Sequence, residues 1–291
     1  YNCNTSTITG KPKCTCGTSA IISGGDTICM GDSTLISVNL VGYQPWNLNY
    51  SDGTSNISKT NISASPFSFY SKNNSSYSIN SISDNFCVGT GTGSANVVVK
   101  DLPTATISGS GNICFGDSVL VTIALAGEQP FDFTYTDGTT PVAITNYSNN
   151  SYSFYEKLTK SYSLVSINNN YCTGTVSGSA DIVLKSNITV SNVDTVCNLA
   201  ATLYTISFEV SGGDTSTYSI TGNTGTFTLG TPNLFVSNAI NSGNNYSFSI
   251  NDAVACSPKT ITGAPICECA AGATISGGDT ICMGDSTLIS V

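Results

Sequence analysis

The sequence has 291 residues, a formal net charge of −9, nine cationic residues that are all lysine, and no histidine. Without clustered Lys and Arg it lacks the footprint of a nucleic-acid binder. Without His or Arg it lacks the commonest general base, the commonest metal ligand and the bidentate anion clamp.

Charged residues make up only 9%, but 40% are hydrophobic, with 14 Tyr and 11 Phe, so the chain can build cores. Its length suits two or three domains. Twelve cysteines occur with no Cys-x-x-Cys spacing. With no histidine to complete a zinc site, disulfides in an oxidising, extracellular place are expected. No apolar run reaches the length of a membrane span, so no membrane insertion is expected. No signal peptide stands at Tyr1, and any export signal is expected outside this sequence.

Internal repetition organises the chain. Residues 20–38 and 273–291 differ at one position, at an offset of 253. The same offset carries Cys3, Cys14 and Cys16 onto Cys256, Cys267 and Cys269. Within that period lies a shorter repeat. The spacing from Cys29 to Cys87 equals that from Cys114 to Cys172, and the spacing from Cys197 to Cys256 is longer by a single position. In chain order, residues 1–19 read as the end strand of a preceding domain plus a Cys-x-Cys linker. Residues 20–103, 104–186 and 187–265 read as three repeats. Residues 266–291 read as the next linker and the start of another first-type repeat. The chain is therefore expected to be a window on a longer one.

Each repeat shows the period-2 alternation of half-buried strands. Trp46, Leu48 and Tyr50 alternate with Asn47 and Asn49, and Phe131, Phe133 and Tyr135 repeat the pattern. Val119, Val121, Ile123 and Leu125 do the same, as do Tyr204, Ile206, Phe208 and Val210. Asp52-Gly53 and Asp137-Gly138 read as tight turns. No helical period appears. About seven short strands per ~85 residues predict an all-β fold of tandem immunoglobulin-like β-sandwich domains in an extended array.

The Ile-Cys-x-Gly-Asp-Ser start, the Gly-x-x-Pro-aromatic-x-x-x-Tyr-x-Asp-Gly middle and the Gly-Ser-Ala end resemble the repeats of giant cell-surface adhesins of Bacteroidota, gliding-motility adhesins among them. The third repeat keeps the cysteines but not the Gly-x-x-Pro-aromatic motif. The resemblance implies export by the type IX secretion machinery, display on the bacterial cell surface and no catalytic residues. Asp-Ser/Thr-aliphatic sequences resemble the general O-glycosylation motif of the same bacteria. They make Thr27, Ser118, Thr195 and Thr280 candidate glycan carriers, with Ser33 and Ser286 in the close variants Asp32-Ser33-Thr34 and Asp285-Ser286-Thr287, the plainer reading being that Asp and Ser start a strand after a turn.

Asp26 and Asp32 flank Cys29, and Asp279 and Asp285 flank Cys282 in the same way. Such carboxylates are the hard ligands calcium takes. They also suit turns beside Gly25 and Gly31, and no metal or cofactor is expected. Trp46 could stack on a sugar, but its alternation points it into the core.

Strand direction bears on the disulfides. Counting strands at 33–41, 46–50, about 55–63, 66–71 and 75–83, the second and sixth strands of the first repeat run the same way. Cys29 precedes one and Cys87 follows the other, so they should lie at opposite ends, beyond the ~7 Å Cα separation a disulfide allows. Pairing across joints then gives Cys29–Cys172 and Cys114–Cys256, with Cys14 or Cys16 to Cys87 and Cys267 or Cys269 to Cys197. The alternative is pairing within each repeat, Cys29–Cys87, Cys114–Cys172 and Cys197–Cys256.

The expected function is a non-enzymatic spacer in a secreted adhesin filament serving surface attachment and gliding. Its expected partners are further repeats of the same chain, with self-association into fibres as one option, and surface polymers or glycans met by regions outside this sequence. The rival reading is a multivalent glycan- or polymer-binding module that gains avidity by repetition.

Overall fold

The computed structural model describes residues 2–3, 14–268, 276–277 and 289–290, with side chains from Cys16 to Glu268. The fold is all-β, and the one helical turn among the described residues is Thr215–Thr217. Two compact units emerge. One holds the residues through Ser110 with Leu120–Phe154 and Lys160–Asp181; the other holds Gly111–Val119, Tyr155–Thr159 and the residues from Ile182 onward.

In the first unit, strand Ser19–Gly24 pairs antiparallel with Thr34–Val41, which pairs with Phe67–Ser71. Opposite them, Asn56–Ile62, Trp46–Ser51, Ser75–Ser83 and Ala95–Lys100 follow one another antiparallel. The first strand changes sheet at Gly24, because Thr27–Cys29 runs parallel to Ala95–Lys100. The last strand does likewise, since Val88–Thr92 runs parallel to Ser19–Gly24. These paired crossings make an immunoglobulin-like sandwich.

Alternation decides which side chains the sandwich buries. Trp46, Leu48 and Tyr50 go inside with Ile36, Val38, Leu40, Ile82 and Val97, in a single cluster drawn from both sheets. Each such burial contributes roughly 1.5–3 kcal/mol. Tyr50 stacks on Phe69 at 5.1 Å.

Residues 104–185 repeat the plan. Thr104–Ser108 pairs antiparallel with Val119–Ala126 and parallel with Thr175–Lys185. Phe131–Thr136 lies between Pro141–Tyr147 and Lys160–Asn169. Phe131, Phe133, Tyr135, Val121, Ile123 and Ile167 are buried, and Tyr135 stacks on Phe154 at 5.1 Å as Tyr50 does on Phe69.

In the second unit, Gly111–Cys114 runs parallel to the end of Thr175–Lys185. Leu203–Ser211 lies between Thr189–Cys197 and Asn233–Ser237, and the latter pairs with Gly225–Thr228. Tyr246–Asn251 lies between Ser219–Gly222 and Lys259–Gly263. Tyr204, Ile206, Phe208 and Val210 line the core with Phe235 and Phe248, and Phe208 stacks on Phe235 at 4.8 Å.

Outward faces carry neutral cross-strand pairs. Ser37 and Ser68 hydroxyls meet at 3.0 Å, Thr106 and Ser177 at 3.0 Å, and Thr122 and Ser153 at 3.2 Å. Two glycines are needed for close approach. A Cβ on Gly89 would lie 1.9 Å from the Thr18 carbonyl oxygen, and one on Gly174 would lie 1.8 Å from that of Pro103.

Candidate functional site: the cystine joints

The structure brings eight cysteines together in four bridges. Cys29 joins Cys172 and Cys114 joins Cys256, with Cα atoms 5.7 and 5.2 Å apart. Cys16, not Cys14, joins Cys87, and Cys267, not Cys269, joins Cys197, with Cα atoms 6.0 and 5.8 Å apart. No described bridge links Cys29 to Cys87, Cys114 to Cys172 or Cys197 to Cys256. The Cys14 side chain and Cys269 lie outside the described residues, as do Thr280, Ser286, Asp279 and Asp285.

The cysteine that follows the Ser75–Ser83 type of strand sits in a loop closed by an Asx side chain. Asp84 Oδ1 accepts from the N–H groups of Phe86 and Cys87 at 2.8 and 2.9 Å, and Asp84 N donates back to the Cys87 carbonyl at 3.0 Å. Its Oδ2 accepts from the Thr18 hydroxyl at 2.6 Å and from Tyr43 N at 3.0 Å. These donors, the Thr18 hydroxyl foremost, hold the Asp84 carboxyl well below the usual carboxylate range.

Asn169 does the same without a charge. Its Oδ1 accepts from Tyr171 N and Cys172 N at 3.0 and 2.7 Å. In the second unit, Asp252, 5% exposed, accepts from Cys256 N at 3.3 Å and from Asp214 N. Sequence reading missed these three residues. The signal that could find them is an Asp or Asn three or four positions before the second cysteine of each repeat.

A lysine ends the last strand at two of the joints. Lys100 Nζ lies 2.7 Å from Glu128 Oε2 and 4.6 Å from the centre of the Tyr171 ring. The Glu128 hydrogen bond raises the Lys100 pKa above its ordinary value. The Met30 N–H donates to the Lys100 carbonyl at 2.8 Å. Lys185 Nζ lies 3.6 Å from Asp214 Oδ1. Asp214 is held below the ordinary carboxylate range, mainly by the Ser216 hydroxyl, with Lys185 adding to it. Ile188 N donates to the Cys256 carbonyl at 3.0 Å and Gly213 N to the Ser186 carbonyl at 2.7 Å. Each of these two joints thus combines a bridge, an ion pair and backbone hydrogen bonds.

The remaining candidates lie apart. Thr27, Ser33, Ser118 and Thr195 are all exposed. Asp26 Oδ1 accepts from Thr27 N at 2.7 Å, and Asp32 N donates to the Cys29 carbonyl at 2.9 Å, which are turn contacts. No group of three acidic or cysteine ligands gathers among the described residues. Trp46 is 6% exposed and packs in the core. A groove of about 290 Å³ lies between Glu209 and Asn233, and the Glu209 carboxylate accepts from Asn192 Nδ2 at 2.9 Å. No described helix is long and apolar enough to cross a membrane. Bridges of this number belong to an extracellular protein.

No family model and no curated protein matches the chain. Among solved structures it is similar to a three-domain titin fragment, I67–I69, in an E-to-A variant, with 11% identity, a TM-score of 0.49, and 86% of this chain and 95% of that one covered. Another I67–I69 fragment from the titin I-band gives 10% identity, a TM-score of 0.46, and 85% and 96% coverage. A structure concerning host-cell surface retention of a 1.5-MDa bacterial ice-binding adhesin gives 12% identity, a TM-score of 0.34, and 85% and 96% coverage. At these identities and TM-scores the likenesses carry no inference about activity or partner.

Proposed function

We propose that the chain is a load-bearing spacer, three immunoglobulin-like repeats at 20–103, 104–186 and 187–265, within a secreted bacterial surface adhesin of the gliding-motility type. The observation that carries this reading is the jointing. Bridges Cys29–Cys172 and Cys114–Cys256 each tie one repeat to the next, where a chain of independent binding modules needs only a linker. The chemistry of the joints is structural: disulfides, ion pairs and carboxylates satisfied by backbone N–H groups, with no nucleophile beside a base. Further repeats of the same chain are the natural partners, and adhesive contacts with surface polymers or glycans fall to other regions. Export by the type IX machinery and O-glycans on Thr27, Ser33, Ser118 and Thr195 belong to the same reading, since all four hydroxyls are exposed.

The test is a glycan array and polymer pull-down with the oxidised chain, beside electron micrographs of the native protein. A spacer gives no specific retention and a filament in the micrographs. Saturable retention of one glycan or polymer overturns the spacer reading in favour of a binding module. Intact mass of protein from its native host, equal to the bare polypeptide, overturns the glycan assignment.

A further inference from the structure

The four bridges overlap along the chain, and their order defines two routes. From Cys16, one route crosses to Cys87, follows the backbone over 87–114, crosses from Cys114 to Cys256 and follows 256–267 to Cys267. The other follows the backbone over 16–29, crosses from Cys29 to Cys172, follows 172–197 and crosses from Cys197 to Cys267. The backbone segments of the two routes come to the same total, about 38 residues or roughly 130 Å when extended, against about 251 residues or roughly 860 Å for the unbridged chain between the same ends. They share no bridge and no backbone segment.

Over 87–114 the routes also lie side by side. Where one carries Ser19–Gly24, Thr27–Cys29 and Thr175–Lys185, the other carries Val88–Thr92, Ala95–Lys100, Thr104–Ser108 and Gly111–Cys114. These are the parallel pairs among the described residues: Ser19↔Thr90, Thr27↔Val98, Thr104↔Thr175 and Gly111↔Ile182. Both routes run in the same chain direction through every one of them.

We infer that the oxidised chain is a two-stranded covalent tie, in which tension between Cys16 and Cys267 divides between two routes of equal length and either alone limits extension. Equal length is what makes sharing work, because a longer second route would hang slack until the first broke. Parallel running means that both strands of each pair advance together under load, so the hydrogen bonds between them are not sheared. The bulk of each sandwich, including 34–83 of the first, lies outside both routes and is spared the pull. This use of the bridges rests on the spacer reading, but the extension limit follows from connectivity alone.

Single-molecule pulling on the full chain tests it. Expected is no unfolding step in the oxidised chain that takes the segment between Cys16 and Cys267 past roughly 130 Å, and a gain of roughly 730 Å after full reduction with a dithiol. The Cys16→Ser/Cys87→Ser variant keeps the limit unchanged, because the second route is intact. Adding Cys29→Ser and Cys172→Ser leaves a shortest route of about 109 residues through Cys114–Cys256 and lengthens the limit by roughly 240 Å. Oxidised wild-type protein that extends by several hundred ångströms overturns the inference, and so does a single-bridge variant that extends further than wild type. Glycan retention in the binding assay would sink the spacer reading while leaving the extension limit standing.

Discussion

Replacing Cys16 and Cys87 together by serine removes the bridge that encloses the first sandwich. The bridge closes a loop of 71 residues, and the next covalent path between those residues, through Cys29–Cys172, is longer. Loop-closure entropy for that length comes to about 4 kcal/mol at 25 °C. The Asp84 hydrogen bonds to Thr18, Tyr43, Phe86 and Cys87 do not involve sulfur, and the 3.3 Å contact of the Thr18 hydroxyl with the Cys87 sulfur is one that a serine hydroxyl can also make. The loss therefore acts through the unfolded chain. For a sandwich of this size a kilocalorie moves Tm by about 4–8 °C, so the first repeat should melt roughly 15–30 °C lower. Trp46 is the single tryptophan and sits in that core, so its emission follows this repeat. A shift under about 5 °C would show that the bridge does not constrain the unfolded state as its loop length requires.

Phe208→Ala empties a ring site packed against Phe235 and Phe248 and should cost about 3–5 kcal/mol, read as a lower urea midpoint for the tyrosine signal. Gly174→Ala drives a Cβ into the Pro103 carbonyl and should cost about 1–3 kcal/mol in the same measurement, whereas alanine at Gly17, where nothing stands within 4 Å and φ is not positive, meets neither a clash nor backbone strain. Asp84, Asp137 and Asp214 have folded-state pKa values below their ordinary ones, so they stabilise the fold above the unfolded value near 3.9. That contribution is lost as pH falls from about 4 through the lower folded values, so thermal melts should drop steeply there and less steeply in Asp84→Asn. Lys100, whose pKa is raised, contributes below its unfolded value near 10.4 and loses that contribution as pH rises past the folded one, which places its effect at the alkaline end of the same titration.

The fold is legible in the sequence because alternation is a direct record of burial. Tyr204, Ile206, Phe208 and Val210 are all buried, with Thr205, Ser207 and Glu209 between them partly exposed. Strand direction is legible too: with strands at 34–41 and 75–83 the chain leaves Cys29 and Cys87 at different ends. Joint contacts are less so. Nothing in composition or spacing says that Lys100 meets Glu128, since 28 residues and a change of sandwich separate them. The loop role of Asp84 is hidden for another reason. An Asp before a cysteine reads as any polar turn residue, and only the convergence of Thr18, Tyr43, Phe86 and Cys87 on one carboxylate shows it closing the loop. Strand counting does not decide between Cys14 and Cys16, which stand two positions apart.

The cross-strand pairs on the outer faces have a consequence for the medium the protein can work in. Ser37 with Ser68, Thr106 with Ser177 and Thr122 with Ser153 stand where many proteins place Lys and Glu. Ion pairs on a surface weaken as ionic strength rises, because mobile ions screen them over about 8 Å at physiological salt and about 3 Å at 1 M. Hydrogen bonds between neutral hydroxyls feel no such screening. With only 9% charged residues, little of the surface is left for salt to act on. The same faces therefore hold their arrangement in fresh water and in brine, and screening by added salt falls chiefly on the few ion pairs at the joints and turns.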